Sequence, residues 1–87
     1  MEEKIISTAN ILKAMGHPTR LKILYLLNKK PHCVCELLDI LKVSQPNLSQ
    51  HLALLRNMGI IKDERKANMV FYSLENEFVK KVLSLLD

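Results

Sequence analysis

Residues Val43–Tyr72, VSQPNLSQHLALLRNMGIIKDERKANMVFY, predict a helix followed directly by a β-hairpin. Ser44 is a good N-cap, because its hydroxyl can accept a hydrogen bond from a free amide of the first turn. Pro46 fits inside that turn, where its missing N–H costs nothing. Gly59 is expected to end the helix in a left-handed conformation. Three leucines recur at helical spacing and indicate one buried face: Leu48, Leu52 and Leu55.

The remaining surface of this helix is predicted to be polar and exposed. It carries hydroxyl, amide, imidazole and guanidinium groups, which can reach phosphates and base edges in a major groove. An ordinary solvated face is the alternative, but such faces are usually filled with Glu and Lys, which are scarce here. We therefore expect this face to contact double-stranded DNA. The candidate residues are Ser44, Gln45, Asn47, Ser49, Gln50, His51 and Arg56.

A hairpin is predicted after the helix, because Ile60–Arg65 and Met69–Leu74 have strand-like composition. Residues 66–68 join the two strands, and Asn68 tolerates the left-handed conformation that a short loop needs. The hairpin is expected to have a basic tip, formed by Lys62, Arg65 and Lys66. The alternative is a surface hairpin kept soluble by its lysines. After a reading helix, however, a wing that contacts phosphates is the better interpretation.

Four further segments have helical periodicity. A first helix spans about Glu2–Met15, and a second runs from Pro18 to about Asn28 with an apolar surface on nearly every side. A third spans about Val34–Leu41 and a last one about Glu75–Leu86. The chain is therefore predicted to be mainly α with a small β-hairpin, in the order α-α-α-α-β-β-α. The order of a helix, a tight turn, a helix with a polar face and a hairpin predicts a winged helix-turn-helix. Residues 1–87 are predicted to form this one DNA-binding domain.

Composition narrows the class of protein. The 87 residues carry 13 basic and 9 acidic side chains, a net charge of +4 that suits a polyanion such as DNA. No apolar run approaches the ~20 residues needed to span a bilayer, and the N-terminus lacks the basic segment of a secretory signal, so we expect a cytoplasmic protein. Only two glycines are present and no phosphate-binding loop is recognisable, which argues against an enzyme.

Both terminal helices carry more apolar residues than packing on one side of a small domain requires. In the last helix these include Phe78, Val79, Val82, Leu83, Leu85 and Leu86. Such apolar surface on a domain of this size predicts a homodimer held through the terminal helices.

Several blocks, taken together, resemble the ArsR/SmtB family of winged-helix repressors, and the resemblance covers nearly the whole chain. These repressors are small dimers, many of which release DNA when they bind a metal or metalloid ion. The resemblance implies that the fourth helix reads DNA, that the terminal helices form the dimer, and that Cys33 and Cys35 match the cysteine pair of the thiolate-sensing branch. The blocks are HPTRLKIL (His17–Leu24), CVCEL (Cys33–Leu37), VSQ with LSQHL (Val43–Gln45, Leu48–Leu52) and LLR with GI (Leu54–Arg56, Gly59–Ile60).

The chain departs from the family at three places. Arsenic sensors often have a further cysteine one helical turn after the pair, where Leu38 stands here. Cadmium and lead sensors often draw a cysteine from an N-terminal arm, and this chain has no third cysteine. Zinc and nickel sensors place histidine ligands on the last helix, which here contains none.

The cysteine pair is a candidate site for a thiophilic ion: As(III), Cd(II), Pb(II), Cu(I) or Zn(II). A helix N-terminus, with Lys29 and Lys30 nearby, would favour the thiolates. Residues two apart on an intact helix face different ways, so one ion could be gripped only if the first turn unwound. Because that turn positions the reading helix, ion binding and DNA release would be coupled.

Other interpretations of the pair stay open. The cysteines can be small apolar residues packed under the fold. A disulfide between neighbours in a helix is geometrically poor, so redox switching ranks below metal binding. His32 is a candidate third ligand, although a His beside two lysines is commonly just solvated. The alternative functions are a regulator of the same fold with a non-metal signal, either thiol redox or a protein partner, and a winged-helix protein-interaction module.

Overall fold

A computed structural model describes all residues, Met1–Asp87. The chain forms a winged helix with five helices and a small antiparallel sheet, as predicted. None of the helices combines the length and apolarity needed to cross a bilayer. The elements are α1 (Glu2–Met15), α2 (Pro18–Lys29), β1 (His32–Cys33), α3 (Val34–Leu41), α4 (Gln45–Asn57), β2 (Ile61–Lys66), β3 (Met69–Leu74) and α5 (Glu77–Ser84).

Two features of this order differ from the prediction. The strand β1 was not expected, and it pairs antiparallel with β3 so that the sheet order is β1-β3-β2. A two-residue strand has no periodicity that a sequence could reveal. The helix α5 is shorter than predicted at both ends. It begins at Glu77 because the Asn76 side chain accepts a hydrogen bond from the amide of Val79 and so caps the helix.

One apolar core lies between the helices and the base of the sheet. The helix α2 supplies its centre, since Ile23 and Leu24 are completely buried. The leucine face of α4 packs into it as predicted, and Leu37 of α3 and Leu83 of α5 close it from two other sides. The core therefore fixes α3 and α4 relative to the terminal helices, which leaves the opposite face of α4 outside.

The junction between α4 and the wing is a Schellman motif, in which two amides beyond the helix satisfy its last carbonyls. The Gly59 amide donates to the Arg56 carbonyl (2.9 Å) and the Ile60 amide donates to the Leu55 carbonyl (3.0 Å). Gly59 has φ +75°, which confirms the predicted left-handed end of the helix. Ile60 and Leu55 are both completely buried, so an apolar contact accompanies the motif.

The carbonyl of Ile60 then joins the base of the wing to the start of α5. It accepts hydrogen bonds from the amides of Glu75 (2.9 Å) and Asn76 (3.2 Å). The entry to the hairpin and its exit are thus attached to one peptide group.

The hairpin turns through two residues, because Lys66 pairs with Met69. The left-handed residue of this loop is Ala67, with φ 57°, and not Asn68 as predicted. In two-residue hairpin loops the first loop position takes positive φ. The pairing register thus places Ala67 there, although asparagine would adopt the conformation at lower cost.

A second non-glycine residue with positive φ yields a test of stability. Lys42 ends α3 with φ 57° and is exposed. We expect Lys42→Gly to raise the free energy of unfolding by about 0.5–1 kcal/mol, because glycine adopts this conformation without a Cβ clash. Lys42→Ala is the control, since it removes the same side chain and keeps the strain. Urea unfolding of both variants measures the difference, and an equal stability of Gly and Ala would contradict the expectation.

Candidate nucleic-acid interface and cysteine pair

The start of α4 is fixed by its own sequence. The Ser44 hydroxyl accepts a hydrogen bond from the Asn47 amide (3.2 Å), and Pro46 lies in the first turn. No acidic residue lies in this first turn, so nothing offsets the positive end of the helix dipole. A helix N-terminus of this kind suits the approach of a phosphate.

The outer face of α4 is uncharged over its first two turns. Ser44, Gln45, Asn47, Ser49 and Gln50 are all exposed, while Leu48 and Leu52 on the opposite side are buried. The side chains of Gln45, Ser49 and Gln50 form no hydrogen bond within the protein, so their donors and acceptors are free for another molecule. The side-chain hydrogen bonds closest to them are the Ser44 cap and a contact of His51.

His51 does not share this exposure. It is half-buried, its ring centroid lies 4.6 Å from that of His17, and its Nδ1 lies 3.4 Å from Nη1 of Arg20. Burial, the neighbouring His17 and the Arg20 guanidinium together hold the pKa of His51 below its ordinary value. Helical spacing predicts an exposed His51, because spacing alone does not show what the start of α2 covers.

The cationic candidates divide into paired and unpaired groups. Arg56 reaches Asp63 of β2, with 3.6 Å between Nη1 and Oδ2, and so bridges α4 and the wing. Lys62 lies 3.5 Å from Glu75 and stands at the base of the hairpin, since its neighbour Ile61 pairs with Leu74. The prediction that Lys62 lies at the tip of the hairpin is therefore wrong. Arg65 and Lys66 lie at the tip, and neither takes part in an ion pair.

The cysteine pair lies where the sheet meets the helix-turn-helix. Cys33 is extended, belongs to β1 opposite Phe71, and is the N-cap of α3, while Cys35 lies in the first turn. The Cys33 amide donates to Glu36 Oε1 (2.9 Å) and the Glu36 amide donates to Cys33 Sγ (3.3 Å), which forms a capping box. Cys33 is buried and Cys35 is exposed.

The two sulfurs are joined as a disulfide, with the Cα atoms 5.4 Å apart. The expectation that the two sulfurs face different ways and that a disulfide is geometrically poor was therefore wrong. Its physical error was to place both cysteines inside a helix, whereas Cys33 is an extended N-cap and can turn its sulfur toward Cys35. No helical turn has to unwind to bring the sulfurs together.

The groups around the pair also differ from the expectation. His32 is buried rather than solvated, and its Nδ1 donates to the Lys30 carbonyl (2.8 Å). Lys29 points elsewhere, since its Nζ lies 3.0 Å from Asp87 and 4.7 Å from the Tyr25 ring centroid. No three His, Cys, Asp or Glu side chains are grouped closely enough to hold an ion. In this oxidised state the residues do not fit a metal site, because both sulfurs are bonded to each other.

The chain is similar to known proteins both in sequence and in fold. The profile of the family described as "Bacterial regulatory protein, arsR family" matches residues 17–63. An uncharacterized HTH-type transcriptional regulator of Methanocaldococcus jannaschii is 42% identical over 98% of this chain and 97% of that protein. A cadmium resistance transcriptional regulatory protein CadC homolog of Staphylococcus aureus is 38% identical over 90% of this chain and 65% of its own length. HlyU from Vibrio cholerae is 41% identical in sequence, and its structure superposes on this one with a TM-score of 0.93, over 99% of this chain and 94% of the HlyU chain. The structure of reduced HlyU has also been solved.

Proposed function

The chain belongs to the ArsR family of bacterial regulatory proteins, and from this premise we propose that it is a transcriptional repressor that reads its operator with α4 and the β2–β3 wing. The observation that carries the proposal is the exposed outer face of α4. Its polar side chains lie opposite a buried leucine face, and those of Gln45, Ser49 and Gln50 lack partners within the protein. A helix of this kind fits the major groove, where amide side chains can form paired hydrogen bonds with adenine.

The individual contacts are proposed on the same grounds. Gln45, Asn47, Ser49 and Gln50 supply base or sugar-phosphate contacts, while Ser44 and the free Gln45 amide at the start of α4 face a phosphate. Arg65 and Lys66 at the wing tip contact phosphates without reading sequence. Arg56 and Lys62 have acidic neighbours, so their contribution to DNA affinity is smaller than that of the tip. All 87 residues act as one DNA-binding domain around the single core.

Two sets of substitutions separate reading from phosphate contact. We expect Gln50→Ala to weaken binding to the operator by about 1–3 kcal/mol and to leave binding to unrelated DNA unchanged. The double variant Arg65→Ala, Lys66→Ala should instead weaken binding to every duplex. It should also reduce the slope of the logarithm of affinity against the logarithm of salt concentration by the amount expected for about two phosphate contacts. Fluorescence anisotropy at several salt concentrations measures both. Lys4→Ala with Lys81→Ala is the control, because it removes the same charge from the terminal helices. An equal effect of the wing variant and the control variant on DNA binding would remove the wing from the proposal.

The dimer is proposed from apolar surface on the terminal helices. Ile5 and Leu12 lie two turns apart on α1 and are 55% and 48% exposed, and Leu85 after α5 is 81% exposed. Apolar side chains of this size and exposure are usually covered by a partner. A second copy, related by a two-fold axis, would present two α4 helices to successive major grooves of a near-palindromic operator.

Charge introduced on α1 tests the dimer. We expect Ile5→Glu with Leu12→Glu to convert the dimer to monomers at micromolar concentration and to abolish operator binding there. Sedimentation velocity measures the oligomeric state, and far-UV circular dichroism checks the helices. Met69→Glu is the control, because Met69 is similarly exposed but lies in the wing. If the α1 variant remained a dimer, the interface would lie elsewhere.

The signal is proposed to act at Cys33 and Cys35. After reduction the pair offers two thiolates at the N-terminus of α3, which suit a thiophilic ion such as As(III), Cd(II), Pb(II) or Zn(II). A bound ion would hold the two sulfurs close together through bonds to both thiolates. Cys33 is both a strand residue and the helix cap, so a change at its sulfur reaches the wing and the helix-turn-helix at once. A third ligand would come from outside the pair, and His32 stays a candidate through Nε2, because its Nδ1 donates to the Lys30 carbonyl and leaves the other ring nitrogen unprotonated.

The disulfide itself favours a second candidate signal. Reduction by a dithiol would convert the Cys33–Cys35 bond into two thiols and the dithiol into its own disulfide, so electrons balance without a further reactant. Cys35 is the exposed member of the pair, so attack is proposed at its sulfur. In this version the oxidised and reduced proteins differ in operator affinity without any ion.

Titration of reduced protein distinguishes the two signals. We expect As(III) or Cd(II) to lower operator affinity at least about tenfold, with thiolate absorption appearing in parallel. Cys35→Ser should abolish both effects, while Cys33→Ser should do so without unfolding α3, because serine is also a good N-cap. A response that survives in both serine variants would exclude the pair as the sensor. A tenfold difference between oxidised and reduced protein without ions would identify the redox signal instead.

A further inference from the structure

Arg20 connects three helices through one guanidinium group. Its Nε donates to the Ala14 carbonyl at the end of α1 (2.7 Å), and its Nη1 lies 3.4 Å from Nδ1 of His51 on α4. Arginine has donors only and stays protonated at any ordinary pH. In this contact Nδ1 of His51 must therefore be the acceptor, which places the ring proton on Nε2.

The ring of a second histidine, His17, packs against the ring of His51. The Nδ1 of His17 accepts a hydrogen bond from the Thr19 amide (3.1 Å), and the two rings are tilted by 48°. His17 and Arg20, both from the start of α2, are the charged or titratable groups that face His51. Neither carries a negative charge. A proton added at Nδ1 of His51 would meet the guanidinium and break the existing contact.

The other nitrogen of His51 remains free. Nε2 has no hydrogen-bond partner in the protein, yet no buried side-chain nitrogen or oxygen atom lacks one. Nε2 therefore keeps access to solvent, although the residue as a whole is half-buried. It follows Gln50 directly on the helix whose outer face is proposed to meet DNA.

We propose that Arg20 is a positioning residue for DNA recognition, which fixes His51 as a neutral Nε2–H donor for a hydrogen-bond acceptor on the operator. The proposal rests on the proposed function, since it needs α4 to lie on DNA. The acceptor is a phosphate oxygen or a base-edge atom such as a purine N7. Arg20 itself does not contact DNA. It acts by holding the ring, because its Nε is anchored on the carbonyl of Ala14.

The direct test is the tautomer of His51 in the wild-type protein. Long-range proton–nitrogen correlation spectra of ¹⁵N-labelled protein distinguish a protonated Nε2 from a protonated Nδ1. We expect Nε2–H at neutral pH in the wild type, and a mixture of tautomers with a raised His51 pKa in Arg20→Met. The Lys13→Met variant, which removes a neighbouring charge on α1, should keep the wild-type spectrum. An Nδ1–H tautomer in the wild type would overturn the proposal without any variant.

A double-mutant cycle on DNA binding tests whether Arg20 acts through His51. The probe is a 30-bp duplex, a length of about three helical turns, selected from a random pool by the wild-type protein. We expect Arg20→Met and His51→Ala each to weaken binding about three- to tenfold, as for loss of one neutral hydrogen bond. The double variant should bind no more weakly than His51→Ala alone. Additive losses would mean that Arg20 acts independently, and the proposal would be wrong.

Two further outcomes separate this proposal from the function beneath it. If the wild type selects no duplex from the pool, the proposed operator-reading function fails. If it selects one but His51→Ala binds that duplex normally, His51 donates no bond to DNA and only the present proposal fails. Comparison with a scrambled duplex identifies the acceptor, because loss on both duplexes indicates a phosphate and loss on the selected one indicates a base.

Discussion

The complete burial of one side of α4 is the constraint on which the proposed DNA-reading surface, the exposed outer face of α4, depends. Leu48 and Leu55 have no solvent exposure, so the helix cannot rotate about its axis without bringing leucine to water. Each buried leucine of this kind contributes about 1.5–3 kcal/mol relative to exposure. The Ser44 cap fixes where the helix starts, and the Schellman motif at Gly59 fixes where it ends. The amides on the outer face are therefore held in place by side chains on the opposite, buried face of the helix.

The same physical logic explains why the cysteine pair lies where it does. A sensor has to touch an element with two stable arrangements. In the proposed sensor, a change at Cys33 would reach two elements, because its backbone belongs to the sheet while its sulfur and amide close the first turn of α3. The buried position limits reaction to what enters through the exposed Cys35. Chemistry at one exposed sulfur is in this way connected to the helix that precedes the reading helix.

Local signals in the sequence were sufficient for the presence of the five helices and for both ends of α4. Ser44, Pro46 and Gly59 act through neighbours a few residues away, so their roles could be predicted from spacing. The features that were missed depend on distant contacts. The short strand β1 exists because His32 and Cys33 meet Tyr72 and Phe71.

The candidate site divides along the same line. The exposed amides of α4 followed from helical periodicity, whereas the half-burial of His51 results from residues 31 to 34 positions earlier. The disulfide ranked below metal binding on the premise of a helical Cys33, and the capping box with an extended Cys33 is visible only in the structure. The family resemblance supplied the importance of the pair but not its geometry.

The shared carbonyl of Ile60 has a consequence for how a dimer measures DNA. Two amides at the entrance to α5 donate to the peptide group that also starts the wing, so the hairpin and α5 are attached to each other beside the end of α4. In a two-fold assembly built on the terminal helices, a tilt of α5 would swing the wing tip along the sugar-phosphate backbone. The distance between the two α4 helices and the position of the wing tips on the DNA would then change together.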